Sequence, residues 1–426
     1  MAAGPVSLSA YWRLLQCNRN FRLLWLAQMV SEIGDWFYSI AIFSLLLELT
    51  GSAKAVAIAV VLQVLPQFFI APLAGVVNDR VSRRRVMIFA DLARAGIVLG
   101  MLTVRSREMV PVIYLLVLLQ TFMWSFFEPG RTAVVPTITS GEDETLTANA
   151  LSSTTWSFNL MFGSALGGLV AVAFGREAVF IINSLTFLVS AFFLKRMRFL
   201  ELHTDASRPF RLRDLADFSP ALEGMRYVLS DARLLATLLV KAGLGFMGAH
   251  WVILPIFGER IFPVQLGGLN ESRAAMLGMS VLMGCRGAGA LLGPLVGGYW
   301  AGRNRSRLLA GILIGFGAIA LGYTALGVAP TIFLAATAVV VAHAGGSVIW
   351  VFSTTLLHFQ AQDRFRGRVF SADFAFLVLT MSLVSYVAGL AIDLSFSVRT
   401  IAMFTGLLAL VPAALWGLLA MPLWKK

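Results

Sequence analysis

The chain has 426 residues, 58% hydrophobic and 13% charged, a formal net charge of +12 and a mean hydropathy of +0.81. Soluble domains are about 45–50% apolar and about 25% charged, so soluble enzymes and nucleic-acid-binding proteins are excluded. Two cysteines, Cys17 and Cys285, are too few for a disulfide framework.

Apolar runs of about 20 residues, each enough to cross the hydrocarbon core as a helix, recur along the chain. They are apolar all round and too long for the roughly 9–11-residue strands of a membrane barrel. The N-terminus shows no cleavable signal peptide, so the run after Arg22 serves as both span and anchor. The spacing predicts twelve spans, near 21–47, 55–77, 86–104, 110–129, 147–173, 178–194, 234–257, 274–300, 307–326, 331–357, 372–393 and 400–422. The longest polar stretch, 195–233, divides them six and six. The expected organisation is an all-α membrane protein: an N-terminal six-helix bundle (1–194), a cytoplasmic linker (195–233) and a C-terminal six-helix bundle (234–426).

Lys and Arg crowd the loops of one face. They are Arg13, Arg19 and Arg22; Arg80, Arg83, Arg84 and Arg85; Arg131; the linker, with Arg208, Arg211 and Arg213; Arg303, Arg305 and Arg307; Arg364, Arg366 and Arg368; and Lys425 and Lys426. The other face holds Lys54, Arg105, Arg107, Arg176, Arg260, Arg273 and Arg399. Positive charge marks the cytoplasm, which places both termini inside.

Ionisable residues within spans are costly and default to functional candidates. Glu32 and Asp35 in span 1 stand at i and i+3, on one helix face. A carboxylate pair there can take a proton on one side of the membrane and release it on the other, or can contact substrate. Its structural alternative is a cap or a fixed ion pair. In span 3, Asp91 and Arg94 either neutralise each other, or Arg94 faces Glu32 or Asp35. Glu128, at the end of span 4, pairs with Arg131 or the linker and acts as a gate element. In the second half, Arg286 sits among small residues and either binds an anionic substrate group or pairs with Asp373. Lys241, His250 and His343 are further intramembrane polar groups, the histidines reading as helix-to-helix hydrogen-bonders. Aromatic residues such as Trp36, Trp124, Trp156 and Trp350 either line a cavity or face lipid.

The loop Gly75-Val-Val-Asn-Asp79-Arg80-Val-Ser-Arg83-Arg84-Arg85 is echoed by Gly298-Tyr-Trp-Ala-Gly302-Arg303-Asn-Arg305-Ser-Arg307 in the second half. A loop type repeated at the same place in each half indicates a duplicated bundle, the architecture of transporters. The first loop resembles the signature between spans 2 and 3 of the major facilitator superfamily, over about residues 10–422. Other phrases resemble its efflux branch of macrolide and enterobactin exporters. They are Ser31-Glu-Ile-Gly34-Asp35-Trp, Asp91-Leu-Ala-Arg94, Phe127-Glu-Pro129-Gly-Arg131-Thr-Ala-Val-Val-Pro136, Ala148-Asn149-Ala150 and Arg366-Gly-Arg368-Val. Span 5 lacks the proline of the usual antiporter motif, and span 4 lacks a mid-membrane arginine.

The resemblance implies a gate. Gly75 lets helices approach closely, Asp79 faces the positive end of span 11 near Phe370 and Ser371, and Arg80 and Arg84 hold the inner face. It implies export of small amphipathic molecules by proton antiport with alternating access, from a bacterial inner membrane. The alternative is a lysophospholipid flippase, and a more distant one a non-transporting sensor. No ATP-binding loop, zinc-ligand spacing or nucleophile elbow is present, so no enzyme, metal or cofactor is expected. The expected partners are a small-molecule substrate, protons and membrane lipids, without nucleic acid, for a monomer.

Overall fold

The structure is a computed structural model that describes residues 8–201, 226–302, 304–362 and 365–420. Most of the linker, with Arg208, Arg211 and Arg213, lies outside the described residues, as do Arg303, Arg364, Lys425 and Lys426. Among the described residues regular structure is helical throughout, and 12 helices are long and apolar enough to cross a membrane.

The first helix, α1 (Leu8–Cys17), precedes the spans and is absent from the hydropathy reading because it is short and amphipathic. Leu14 packs into a cluster with Phe21 and Leu24, while Leu8 and Trp12 stay exposed. Asn18 separates α1 from α2 (Arg19–Thr50). Its carboxamide oxygen accepts from Phe21 N at 2.9 Å, capping α2, and its nitrogen donates to Ile138 O and Glu144 Oε1 at 2.7 and 2.9 Å.

The following helices are α3 (Ala53–Arg80), α4 (Arg83–Gly100), α5 (Val110–Ile138), α6 (Glu142–Phe174) and α7 (Arg176–Arg196). The seventh span is broken rather than continuous. It runs as α8 (Ala232–Gly245), a tighter turn over Phe246–Ala249, α9 (His250–Ile256) and a widened turn over Phe257–Ile261. Pro255 sits inside α9 and cannot donate to the preceding turn. Then come α10 (Glu271–Ala301), α11 (Arg305–Val328), α12 (Ile332–Gln360), α13 (Arg366–Asp393), α14 (Val398–Leu408) and α15 (Leu410–Leu415).

Two compact units result. Unit 1 comprises Met1–Leu45 and Pro66–Arg211, and unit 2 comprises Leu46–Leu65 and Leu212–Lys426. The turn between α2 and α3 therefore belongs with unit 2. It is held there by Asp393, at the end of α13, which accepts from Ala53 N at 2.8 Å, Lys54 N at 3.3 Å and the Ser52 hydroxyl. A carboxylate at the first turn of α3 satisfies its orphan donors and matches the positive end of the helix. Arg260 Nη2 donates to Gly51 O at 2.7 Å beside it.

Candidate functional site

The turn of α2 that carries Glu32 and Asp35 is positioned by glycines. A Cβ at Gly34 would collide with Asn183 Oδ1 and Thr186 Oγ1 of α7. From the other side, α6 presents Gly163 and Gly167, whose Cβ atoms would lie 2.9 Å from Trp36 Cβ and Phe37 Cα. Small residues at such crossings let helix backbones approach in a membrane, so α2 is gripped between α6 and α7. Gly167→Leu is expected to cost about 1–3 kcal/mol through overpacking and to pull Asn159, two turns back on α6, away from Glu32. Thermal unfolding in detergent checks this against Gly317→Leu, where a Cβ meets nothing within 4 Å.

Asp35 and Arg94 form the centre of unit 1. Arg94 Nη2 donates to Asp35 Oδ1 and Oδ2 at 2.7 and 2.6 Å, and Gln120 Nε2 donates to Oδ1 at 3.4 Å. Asp91 Oδ1 lies 3.7 Å from Arg94 Nη1. Of the two alternatives for Arg94, the structure places its hydrogen bonds on Asp35, with Asp91 alongside. The guanidinium stacks over Phe187 at 4.0 Å, so its faces are apolar and its edge meets carboxylates. Arg94 and Asp91 are fully buried, whereas the Asp35 side chain is 26% exposed.

Glu32 belongs to a second cluster, although it shares the helix face of Asp35. Gln28 Nε2 and Asn159 Nδ2 each donate to it at 2.9 Å. Gln28 in turn accepts from Arg131 Nη1 at 3.1 Å, and Arg131 Nε donates to Glu128 at 2.9 Å. Of the partners open to Glu128, the structure shows Arg131. Gln28 and Asn159 are the residues that sequence reading missed. A buried amide carries no hydropathy signal, and the Ala148-Asn149-Ala150 phrase drew attention to the wrong asparagine of α6.

In the charged loop, the expected close approach at Gly75 is not found, since a Cβ there meets nothing within 4 Å. The close approach is made by Asn78, whose Nδ2 donates to Phe126 O of α5 at 3.0 Å and whose Oδ1 faces Gly130. Asp79 is exposed and pairs with Arg83 at 3.4 Å. Arg83 Nη1 also donates to Ala133 O at 2.9 Å and Arg84 Nη1 to Met197 O at 2.6 Å. Arg80 is the last residue of α3. Glu201 accepts from Arg83 N, Arg84 N and Ser82 Oγ at 2.8, 3.2 and 3.1 Å. It thereby puts a carboxylate on the N-terminus of α4.

Unit 2 departs from expectation. Asp373 pairs with Lys241, Nζ to Oδ2 at 2.7 Å, and not with Arg286. Lys241 also lies 4.1 Å over the Trp350 ring and donates to Thr354 at 3.1 Å. Arg286 instead stacks on Trp251 at 3.9 Å. Which cation meets Asp373 is a matter of helix rotation that spacing does not encode. Tyr323 Oη and His343 Nε2 hydrogen-bond at 2.8 Å, joining α11 to α12 as read, whereas His250 Nδ1 donates to Met247 O at 2.7 Å within its own span and its ring meets that of His343 at 4.9 Å.

A family model described as transmembrane secretion effector matches residues 12–426. The chain is 26% identical over 388 residues to macrolide efflux protein A of Streptococcus pyogenes, covering 90% of each. It is 24% identical over 328 residues to the putative bacilysin exporter BacE of Bacillus subtilis (strain 168), covering 76% of this chain and 77% of that relative. A POT family transporter solved with 5-aminolevulinic acid superposes with a TM-score of 0.75 at 11% identity, over 96% of this chain and 97% of that one. A bacterial homolog of the human lysosomal transporter Spinster, inward-facing and unoccupied, gives 0.68 at 14% identity over 98% of each. At such identities the structural likeness speaks to the fold alone.

Proposed function

Because the chain belongs to the transmembrane secretion effector family of major facilitator transporters, and is an efflux-type transporter rather than an enzyme, we propose that it exports small amphipathic molecules by proton antiport with alternating access. The observation that carries this reading is the charge balance of unit 1. Asp35 and Asp91 share the cation Arg94, and Arg131 pairs with Glu128 while Glu32 is linked to it through Gln28. With both acids ionised, each cluster holds one negative charge in excess in a low-dielectric setting, which is costly. One bound proton makes the cluster neutral. Asp35 is the partly exposed carboxylate of its cluster, so it takes and releases that proton, and Arg94 alternates between Asp35 and Asp91 as it does so. Protonation then shifts the population of conformations by its differential affinity for them.

Aromatic pairs on the same helices, Trp36 with Trp156 at 5.8 Å and Phe158 with Phe162 at 4.2 Å, suit an amphipathic substrate. The relatives named for macrolide and bacilysin export favour the same class. The loop charge bias supports cytoplasmic termini, and the bacterial efflux relatives favour a bacterial cell (inner) membrane. The Asp79 loop serves as the gate of this cycle, with Arg80 and Arg84 on it.

Liposomes loaded with a pH-sensitive dye test the reading with macrolide-like compounds, bacilysin and siderophores added one at a time. Compound-dependent proton movement in the parent, abolished by Asp35→Asn and reduced by Glu32→Gln, is the expected result. Compound crossing with no proton response, equal in both variants, overturns proton coupling. Transfer of fluorescent lysophospholipid in place of these compounds selects the flippase.

A further inference from the structure

We propose that unit 1 carries a binding groove for an anionic phospholipid, with the phosphate on Arg85 and one acyl chain lying between α3, α4 and α5. The groove has a volume of about 350 Å³ and is walled by Val77 and Val81, by Val86 and Phe89 of α4, and by Phe122 and Phe126 of α5. These walls are carbon. The single charged residue on its rim is Arg85.

The arginine and the groove are matched in three respects. Arg83 and Arg84 turn their guanidinium groups onto the backbone carbonyls of Ala133 and Met197. Arg85, next in the chain, is exposed at the groove mouth, and its guanidinium has no protein partner among the described residues. Depth is the second match. Phe89 lies one turn further along α4, about 6 Å along the axis, so the apolar trough begins directly below the cation. Third, from the groove wall at Phe89 onward the outer face of α4 is bare and apolar, with Phe89, Leu92 and Leu99 exposed at 65%, 51% and 42%. Such a face in a membrane helix meets hydrocarbon.

A cation at the boundary of polar and apolar regions with a carbon trough beneath it has the layout of one phospholipid: anion at the rim, chain below. The nearest acid of the loop, Asp79, is already paired with Arg83. The groove mouth therefore offers attraction to a phosphate and little to an ammonium, which favours phosphatidylglycerol over phosphatidylethanolamine. A lipid seated there joins the end of α3 to α4 and α5 beside the Asn78 contact, at the base of the charged loop.

Native mass spectrometry of the purified full chain tests this with equal amounts of phosphatidylglycerol and phosphatidylethanolamine, and separately with palmitate. The parent is expected to keep one phosphatidylglycerol at an activation energy that strips phosphatidylethanolamine. Arg85→Gln, at an exposed side chain, should lower phosphatidylglycerol retention to that of phosphatidylethanolamine. Val86→Trp, which fills the trough, should lower retention of both. Equal retention of phosphatidylglycerol by parent and Arg85→Gln overturns the proposal, and so does preferential retention of palmitate. If Val86→Trp fails to fold in a parallel thermal melt, the Arg85→Gln comparison decides alone.

Discussion

Arg94→Met is expected to abolish transport and to destabilise the protein by about 3–5 kcal/mol, the range for removing one partner of a buried ion pair. Arg94 is 1% exposed and has Asp35 at 2.6 Å and Asp91 at 3.7 Å. Without it, two carboxylates face apolar surroundings with no cation. Asp35 is partly exposed, but Asp91 is 0% exposed. Neutralising the acids should therefore restore what the lost cation removed. The triple variant Arg94→Met, Asp35→Asn, Asp91→Asn is expected to melt near the parent while remaining inactive, because nothing is left to exchange a proton. Arg94→Lys should fall between. An ammonium keeps the charge but loses the planar group that lies flat on Phe187 at 4.0 Å while its edge meets Asp35. Melting temperatures in detergent, read beside compound efflux from vesicles, separate these cases. An Arg94→Met protein as stable as the parent would contradict the central role assigned to the guanidinium.

The second large effect lies in unit 2, where Lys241→Met should also cost about 3–5 kcal/mol by leaving Asp373 buried and unpaired. The pair differs from the Arg94 cluster in one respect that matters for function. Lys241 and Asp373 balance one to one, with side chains 3% and 5% exposed, so no surplus carboxylate calls for a proton. The double variant Lys241→Met, Asp373→Leu is expected to regain stability, since replacing a buried ion pair with apolar side chains is often neutral or stabilising. It should also retain compound-dependent proton movement. The checks are thermal unfolding and the dye-loaded liposome assay. A folded double variant that no longer moves protons would put Lys241 and Asp373 in the coupling pathway.

Much of the site is legible in the residue order, for a definite physical reason. Glu32, Asp35, Asp91 and Arg94 stand out because charge inside a long apolar run is expensive, and each has partners in unit 1. What spacing leaves open is the choice of partner. Glu32 and Asp35 share a helix face, yet one meets Asn159 and Gln28 and the other Arg94 and Gln120. One side chain turns to α6 and the other to α4, which spacing along α2 does not fix. Asn78 and Glu201 could have been suspected only weakly. One is a small amide inside a charged motif, and the other is an acid in a polar stretch rich in charge, where a single carboxylate is inconspicuous.

The sequence by itself determined the membrane class, the helices that span and the family. Each follows from composition, run length and local phrases, all of which are one-dimensional. The use of the glycines of α6 became evident only where Gly163 and Gly167 met Trp36 and Phe37. The tertiary structure alone decided the ion pairs. Lys241 with Asp373, Arg286 on Trp251 and Asp393 on the first turn of α3 depend on helix rotation and depth. A helix brings residues three or four apart onto one face, but which neighbouring helix that face meets is set by packing across the whole bundle.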